Sequence, residues 1–129
     1  MSDRFELAKS WFNTANEDIL AAEHEMRYED AILRSVCFHC QQAVEKYIKG
    51  FIIYLDGEFS YTHDIFRLLN ELKTYENELS LNDISPDKLT VYAVEARYPD
   101  PDTIITLDRA KEALAIAYEV RNRILEKIN

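Results

Sequence analysis

The chain has 129 residues, the size of one ordinary domain, with 47% hydrophobic and 30% charged residues, a balance that excludes an unfolded tail and predicts one continuous core. Its 24 acidic and 15 basic residues leave a net charge of −9, which repels phosphate backbones at long range and argues against unspecific nucleic-acid binding outside a local basic pocket. Only 2 glycines and 3 prolines occur, too few turn residues for many short strands, so an all-β fold is excluded as well.

The first helix is expected from Asp3 to about Glu25, because Phe5, Ala8, Phe12, Ala15, Ile19 and Ala22 recur at alternating three- and four-residue steps. Ser2 or Asp3 can cap it. The start of the chain, Met1–Phe12, carries Asp3, Arg4 and Glu6 where a secretory leader needs an apolar stretch, and no apolar run approaches the roughly 20 residues of a membrane span. The expected location is cytoplasmic, without a membrane partner.

The second helix is predicted from about Asp30 to Leu55, where Asp56-Gly57 supplies the first stop. It is expected to be the longest element, and its apolar residues, from Ala31 to Leu55, cover more than one face, so it should lie at the centre with neighbours on both sides. After a loop over Glu58–Thr62, a third helix is predicted over His63–Tyr75 with Thr62 as its cap. Ser85-Pro86-Asp87 places a capping serine before a proline at the first helical position and opens a fourth helix to about Arg97, closed by Pro99 and Pro101. A fifth runs from about Thr106 to Ile128 on a seam of Leu107, Ala110, Leu114, Ala117, Ile124 and Ile128, with Arg121 falling on it and requiring an acidic partner. The expectation is an all-α, antiparallel up-and-down bundle of about five helices in a single domain over residues 1–129, with the long second helix central.

Two glycines cannot build a phosphate-binding loop or a dinucleotide fingerprint, and neither a GxSxG elbow nor an HExxH helix occurs. Cys37 and Cys40 form a CxxC around His39, but this is half a zinc site, with His24 and His63 distant; two small buried residues is the plainer reading, and no metal or other cofactor is expected. The second helix also carries a polar row. At roughly 100° per residue, His39, Gln42, Lys46 and Lys49 share one side, with Gln41 and Glu45 on the adjoining strip. The row fits either an interhelical face whose polar groups satisfy one another or an anion site in which Lys46 and Lys49 supply charge and His39 and Gln42 supply hydrogen bonds. Arg97 and Tyr98, at the end of the fourth helix, could border a pocket beside it, or could instead pair and pack.

The segment Phe38-His39-Cys40-Gln41-Gln42-Ala43-Val44-Glu45-Lys46-Tyr47-Ile48-Lys49-Gly50 resembles the corresponding helix of the HEPN domain family, Phe-His-x-Gln-Gln-Ala-x-Glu-Lys-x-x-Lys followed by Ala or Gly. Thr62-His63 followed by Leu68 and Leu69 resembles the start of that family's third helix, and Ala96-Arg97-Tyr98-Pro99-Asp100 the segment before its last. Trp11, Ala15, Asp18 and Ala21 are similar to its first. The resemblance implies a helical bundle that often forms a homodimer, association with nucleotides or RNA, and frequent coupling to a minimal nucleotidyltransferase, fused or encoded alongside as a toxin and antitoxin pair.

Ribonucleolytic members carry Arg, four to six residues, then His, late in the fold. Here Arg34 and His39 have that spacing, but in the second helix, and no histidine follows His63. As a catalytic pair, His39 would move the 2′-hydroxyl proton and Arg34 would stabilise the phosphorane charge in a metal-independent endoribonuclease. They stand roughly 140° apart on an ideal helix, so convergence would need another helix or a second subunit. The candidate site residues are therefore Arg34 and His39 for catalysis, and His39, Gln42, Lys46, Lys49, Arg97 and Tyr98 for ligand binding. A non-catalytic structural dimer is the remaining alternative.

Overall fold

The computed structural model describes residues 2–128, all helices and connections, with no strand among them. The helices are α1 (Ser2–Met26), α2 (Leu33–Tyr54), α3 (Ile65–Lys73), α4 (Thr90–Arg97) and α5 (Leu107–Glu126), with two 3-10 turns, Asn82–Ile84 and Pro86–Leu89, between α3 and α4. α2 packs against each of the other four helices, as its broad apolar surface predicts. Its Val36, Cys37, Cys40, Ala43, Val44, Tyr47, Ile48, Phe51 and Ile52 are buried in the one cluster that forms the core.

α1 lies antiparallel on α2 through the predicted seam of Ala8, Phe12, Ala15, Ile19 and Ala22, all buried, while Phe5 at its end stays substantially exposed. Successive rungs fix the register. Arg4 donates to the carbonyls of Ile53 (3.3 Å) and Gly57 (2.6 Å), and Phe12 stacks on Tyr47 with ring centres 5.8 Å apart. At the other end Glu25 accepts from the Ile32 N–H at 2.8 Å. Gly50 permits this approach: a Cβ there would lie 2.8 Å from both Phe12 Cε1 and Trp11 Cβ. A capping role for the Ser2 side chain lies outside the described residues.

Further pairs set the direction of the remaining elements. Arg34 meets Glu95, so α4 runs against α2; Arg109 sits over the Tyr92 ring and Lys88 pairs with Glu112, so α5 runs against α4. Tyr118 bonds Glu23 and Arg121 bonds Asn16, which sets α5 antiparallel to α1. α1, α2, α4 and α5 thus alternate up and down, and the short α3 is folded into the α2–α4 connection.

Several boundaries differ from the sequence expectation for local reasons. α2 begins at Leu33, not Asp30, because Ile32 is held extended (φ −81°, ψ 95°) by its bond to Glu25. At the far end the left-handed residue is Asp56 (φ 63°), not Gly57. Gly57 is required by crowding instead, since the Tyr75 ring would stand 2.7 Å from its Cβ. Asp64, not Thr62, caps α3, accepting from the N–H groups of Phe66 and Arg67, while Thr62 Oγ1 accepts from the Asp64 N–H. Ser85 is left-handed (φ 49°) and caps nothing, so Pro86 opens a 3-10 turn before α4 begins at Thr90. In α5 Thr106 does cap, but Ala113, Ile116 and Val120 complete the buried seam while Leu107 is about half exposed. Arg121 takes no carboxylate: it donates to Asn16 Oδ1 and lies over the Tyr118 ring at 5.1 Å.

Candidate functional site

The polar row of α2 is divided between two networks. On the α1 side, Asp18 accepts from His39 Nδ1 at 2.8 Å and from Lys46 Nζ at 2.7 Å, bridging the helices where both are half-buried. On the other side Gln41, Glu45 and Lys49 are all buried, an unusual set for a central helix. Lys49 Nζ donates to Glu45 Oε2 at 2.9 Å, and Glu45 Oε1 receives both Gln41 Nε2 and His63 Nδ1 at 2.9 Å. Gln42 Nε2 extends the chain to Gln41 Oε1 at 2.8 Å. Lys49 is further enclosed by the rings of Trp11 (5.9 Å) and Phe59 (5.3 Å), which stand edge to face. Full pairing is what burial of such groups demands, and among the described residues no buried side-chain N or O lacks a partner.

Beyond this second network a groove opens between α2, the residues ahead of α3, and α4. Two adjoining depressions, of about 370 and about 300 Å³, share His63, Ala93 and Arg97; Phe38 and Gln42 form the floor of one, and Thr62, Thr90, Val94 and Tyr98 border the other. Tyr98, at its rim, is 72% exposed. Among the described residues the Arg97 side chain makes no hydrogen bond and no ion pair, although the chain carries 24 carboxylates, and Tyr98 packs on no ring. Of the two alternatives for these residues, pairing and packing is not what the described residues show: an open arginine and an open aromatic stand side by side.

Other sequence-predicted residues are occupied elsewhere. Arg34 pairs with buried Glu95 on α4, which also accepts from the Asp100 N–H at 3.2 Å and so anchors the turn after that helix. His39 turns to α1. Arg34 and His39 thus face different helices and do not converge within one chain. Cys37 and Cys40 are fully buried; burial pushes both thiols up, Cys40 to about 12, so neither offers a thiolate. Among the described residues no group of three or more His, Cys, Asp or Glu side chains is placed to hold a metal ion.

His63 is the residue that composition and spacing missed. The sequence offered it only as a helix start, because its relation to Glu45, 18 positions earlier, exists only after the chain doubles back beyond Gly57.

A family model described as HEPN domain matches residues 8–128, nearly the whole chain. The chain belongs to the HEPN family. No curated protein and no solved structure matches it. Within this HEPN domain the segment Phe38–Gly50 supplies one side of both polar networks, completed by Asp18 and His63, and also the close approach of α1 at Gly50. Among the described residues no helix is long and apolar enough to cross a membrane.

Proposed function

We propose that this HEPN domain is a binding module for a nucleotide or RNA-related ligand, seated in the groove between α2 and α4. It would work as a homodimer, in the cytoplasm, with a minimal nucleotidyltransferase as protein partner in a toxin and antitoxin pair. The observation that carries the ligand reading is Arg97, a guanidinium left without a carboxylate among the described residues in a chain of net charge −9, beside the exposed side chain of Tyr98, the Gln42 amide and the His63 imidazole. Arginine at such a place recognises phosphate oxygens through its planar fork, and an exposed aromatic ring offers a stacking surface for a base. The volume suits a mononucleotide or one nucleotide of a single strand, not a duplex.

Calorimetry with AMP, ATP, GTP and short RNAs tests the reading. Binding should appear at or below millimolar ligand and weaken about tenfold or more in Arg97→Ala, the loss expected for one charge-assisted contact. No binding at millimolar ligand, or equal affinity in that variant, would overturn it. The ribonuclease alternative needs Arg34 and His39 together, which in one chain face α4 and α1, so it would require a second copy to complete it. Metal-independent RNA cleavage abolished by His39→Ala would favour it.

A further inference from the structure

We infer that His63 is the charge-adjusting element of the groove: it takes up a proton when a phosphate-bearing ligand binds and holds that phosphate together with Arg97. The inference rests on the reading of the groove as a nucleotide site and adds to it a specific residue, a protonation step and a pH dependence.

The tautomer follows from the partners. Glu45 Oε1 already accepts from Gln41 Nε2, and an ionised carboxylate can only accept, so the His63 nitrogen facing it, Nδ1, must carry hydrogen. In the neutral ring the other nitrogen, Nε2, then bears a lone pair, and the imidazole, half-exposed, borders both depressions of the groove. A lone pair there repels a phosphate oxygen. Protonation turns Nε2 into a donor without disturbing the bond to Glu45, since Nδ1–H donates in either state.

The surrounding charges make that proton matter. From α2 the ring is faced by Glu45, whose charge is matched by Lys49; from the turn ahead of α3 by Asp64, which caps that helix; and from α4 by Arg97. Glu45 and Lys49 neutralise each other, so with a neutral imidazole Arg97 is the cation that the groove offers an anion, and a proton on His63 adds a second positive charge beside it. Phosphate binding and protonation are accordingly linked, each favouring the other. Glu45 acts as a positioning residue, holding the ring orientation through Nδ1, and Lys49 holds the Glu45 carboxylate in place.

His39 is the internal control. It has the same kind of partner, Nδ1 on Asp18, but borders neither depression and stands beside Lys46, which also holds Asp18.

The test is calorimetry of AMP and of adenosine, at pH 6 and pH 8, in buffers of low and high ionisation enthalpy. For the unsubstituted protein, AMP binding should take up a proton, with an affinity that falls as pH rises, and adenosine should take up none. His63→Gln, whose amide can still donate to Glu45, should keep the unfolding temperature but lose the proton uptake by the ring, leaving only the pH dependence that comes from AMP's own phosphate, which ionises a second time at about pH 6. In parallel, 15N spectra of the ring should show Nδ1 protonated and Nε2 bare in the free protein at pH 8, and both protonated with AMP bound at pH 6.

AMP binding without proton uptake, or unchanged pH dependence in His63→Gln, overturns this inference and leaves the groove reading intact. A bare Nδ1 overturns it before any ligand is added. Absence of AMP binding by the unsubstituted protein overturns both.

Discussion

The two imidazole–carboxylate–lysine groups on α2 are chemically alike and differ in what lies beyond them. Asp18, His39 and Lys46 tie α1 to α2 and face each other across a helix interface. Glu45, His63 and Lys49 tie α2 to the turn ahead of α3, and past them lies a groove with an unpaired arginine. Residue type alone does not make a site. What distinguishes the second group is an unfilled volume and a cation whose charge no neighbour has consumed.

The largest expected effect comes from removing the buried carboxylate of the second group. Glu45→Ala leaves Lys49 without its counter-charge between Trp11 and Phe59 and strips partners from Gln41 and His63, which should cost about 3–5 kcal/mol in urea unfolding. A loss below about 1 kcal/mol would mean that Lys49 finds water in place of Glu45, and that the group is not held as described. Next is Gly50→Ala. Its Cβ would meet Trp11 Cβ, an atom fixed to the α1 backbone, so α1 must move; overpacking of this kind costs about 1–3 kcal/mol, against a helix-propensity gain of about 1. Displaced Trp11 fluorescence would accompany it.

Asp18→Asn sharpens the comparison directly. It removes the charge that His39 and Lys46 share in a partly exposed place and should cost about 1–2 kcal/mol, with AMP affinity unchanged. Loss of AMP binding in a folded Asp18→Asn protein would move the site to the α1 side. The smallest stability effect belongs to Arg97→Ala, within about 0.5 kcal/mol because no intramolecular partner is lost, together with the tenfold or greater loss of AMP affinity.

Acid should loosen the loop that presents His63. Burial pushes the Glu71 carboxyl up, yet the hydrogen bonds from Ser60 and the charge of Arg67 outweigh it and hold the group below its ordinary value. Such a lowered group contributes stability above the ordinary carboxylate range that is lost as pH falls through and below it. Protection of the Ser60–His63 amides, measured against the intrinsic exchange rate at each pH, should therefore fall as the pH drops below the ordinary carboxylate range, and Glu71→Gln should remove that dependence. Protection factors equal at neutral and acid pH in the unsubstituted protein would contradict it.

How much of this was legible in the sequence varied with the range of the interaction. The α1 seam and the central place of α2 follow from residues three and four apart, and the structure keeps that periodicity from Ala8 to Ala22, with Phe5 alone of that seam left exposed at the helix start. Ends were less legible, because Ile32 is held out of the helix by Glu25, seven residues away, and Thr62 accepts from the Asp64 N–H, which leaves the Asp64 carboxylate to cap the first turn of α3. Arg97 and Tyr98 were named from sequence and the structure places both on a groove. His39, Lys46 and Lys49 were named on the same footing, and all three are paired with carboxylates contributed by Asp18 or Glu45. Helical spacing shows which side chains share a face, but not which of them another helix will neutralise. For Arg34 and His39, the spacing of the motif stands on one continuous helix, where it turns the two groups toward α4 and α1 instead of joining them.

The most direct measurement is a 1H–15N chemical-shift titration of the full chain with AMP. The account predicts that the largest shifts fall on residues 62–64 and 93–98 and on the side-chain amide of Gln42, with Asp18 and His39 little changed. Shifts centred on Asp18, His39 and Lys46, or none at millimolar AMP, would contradict it.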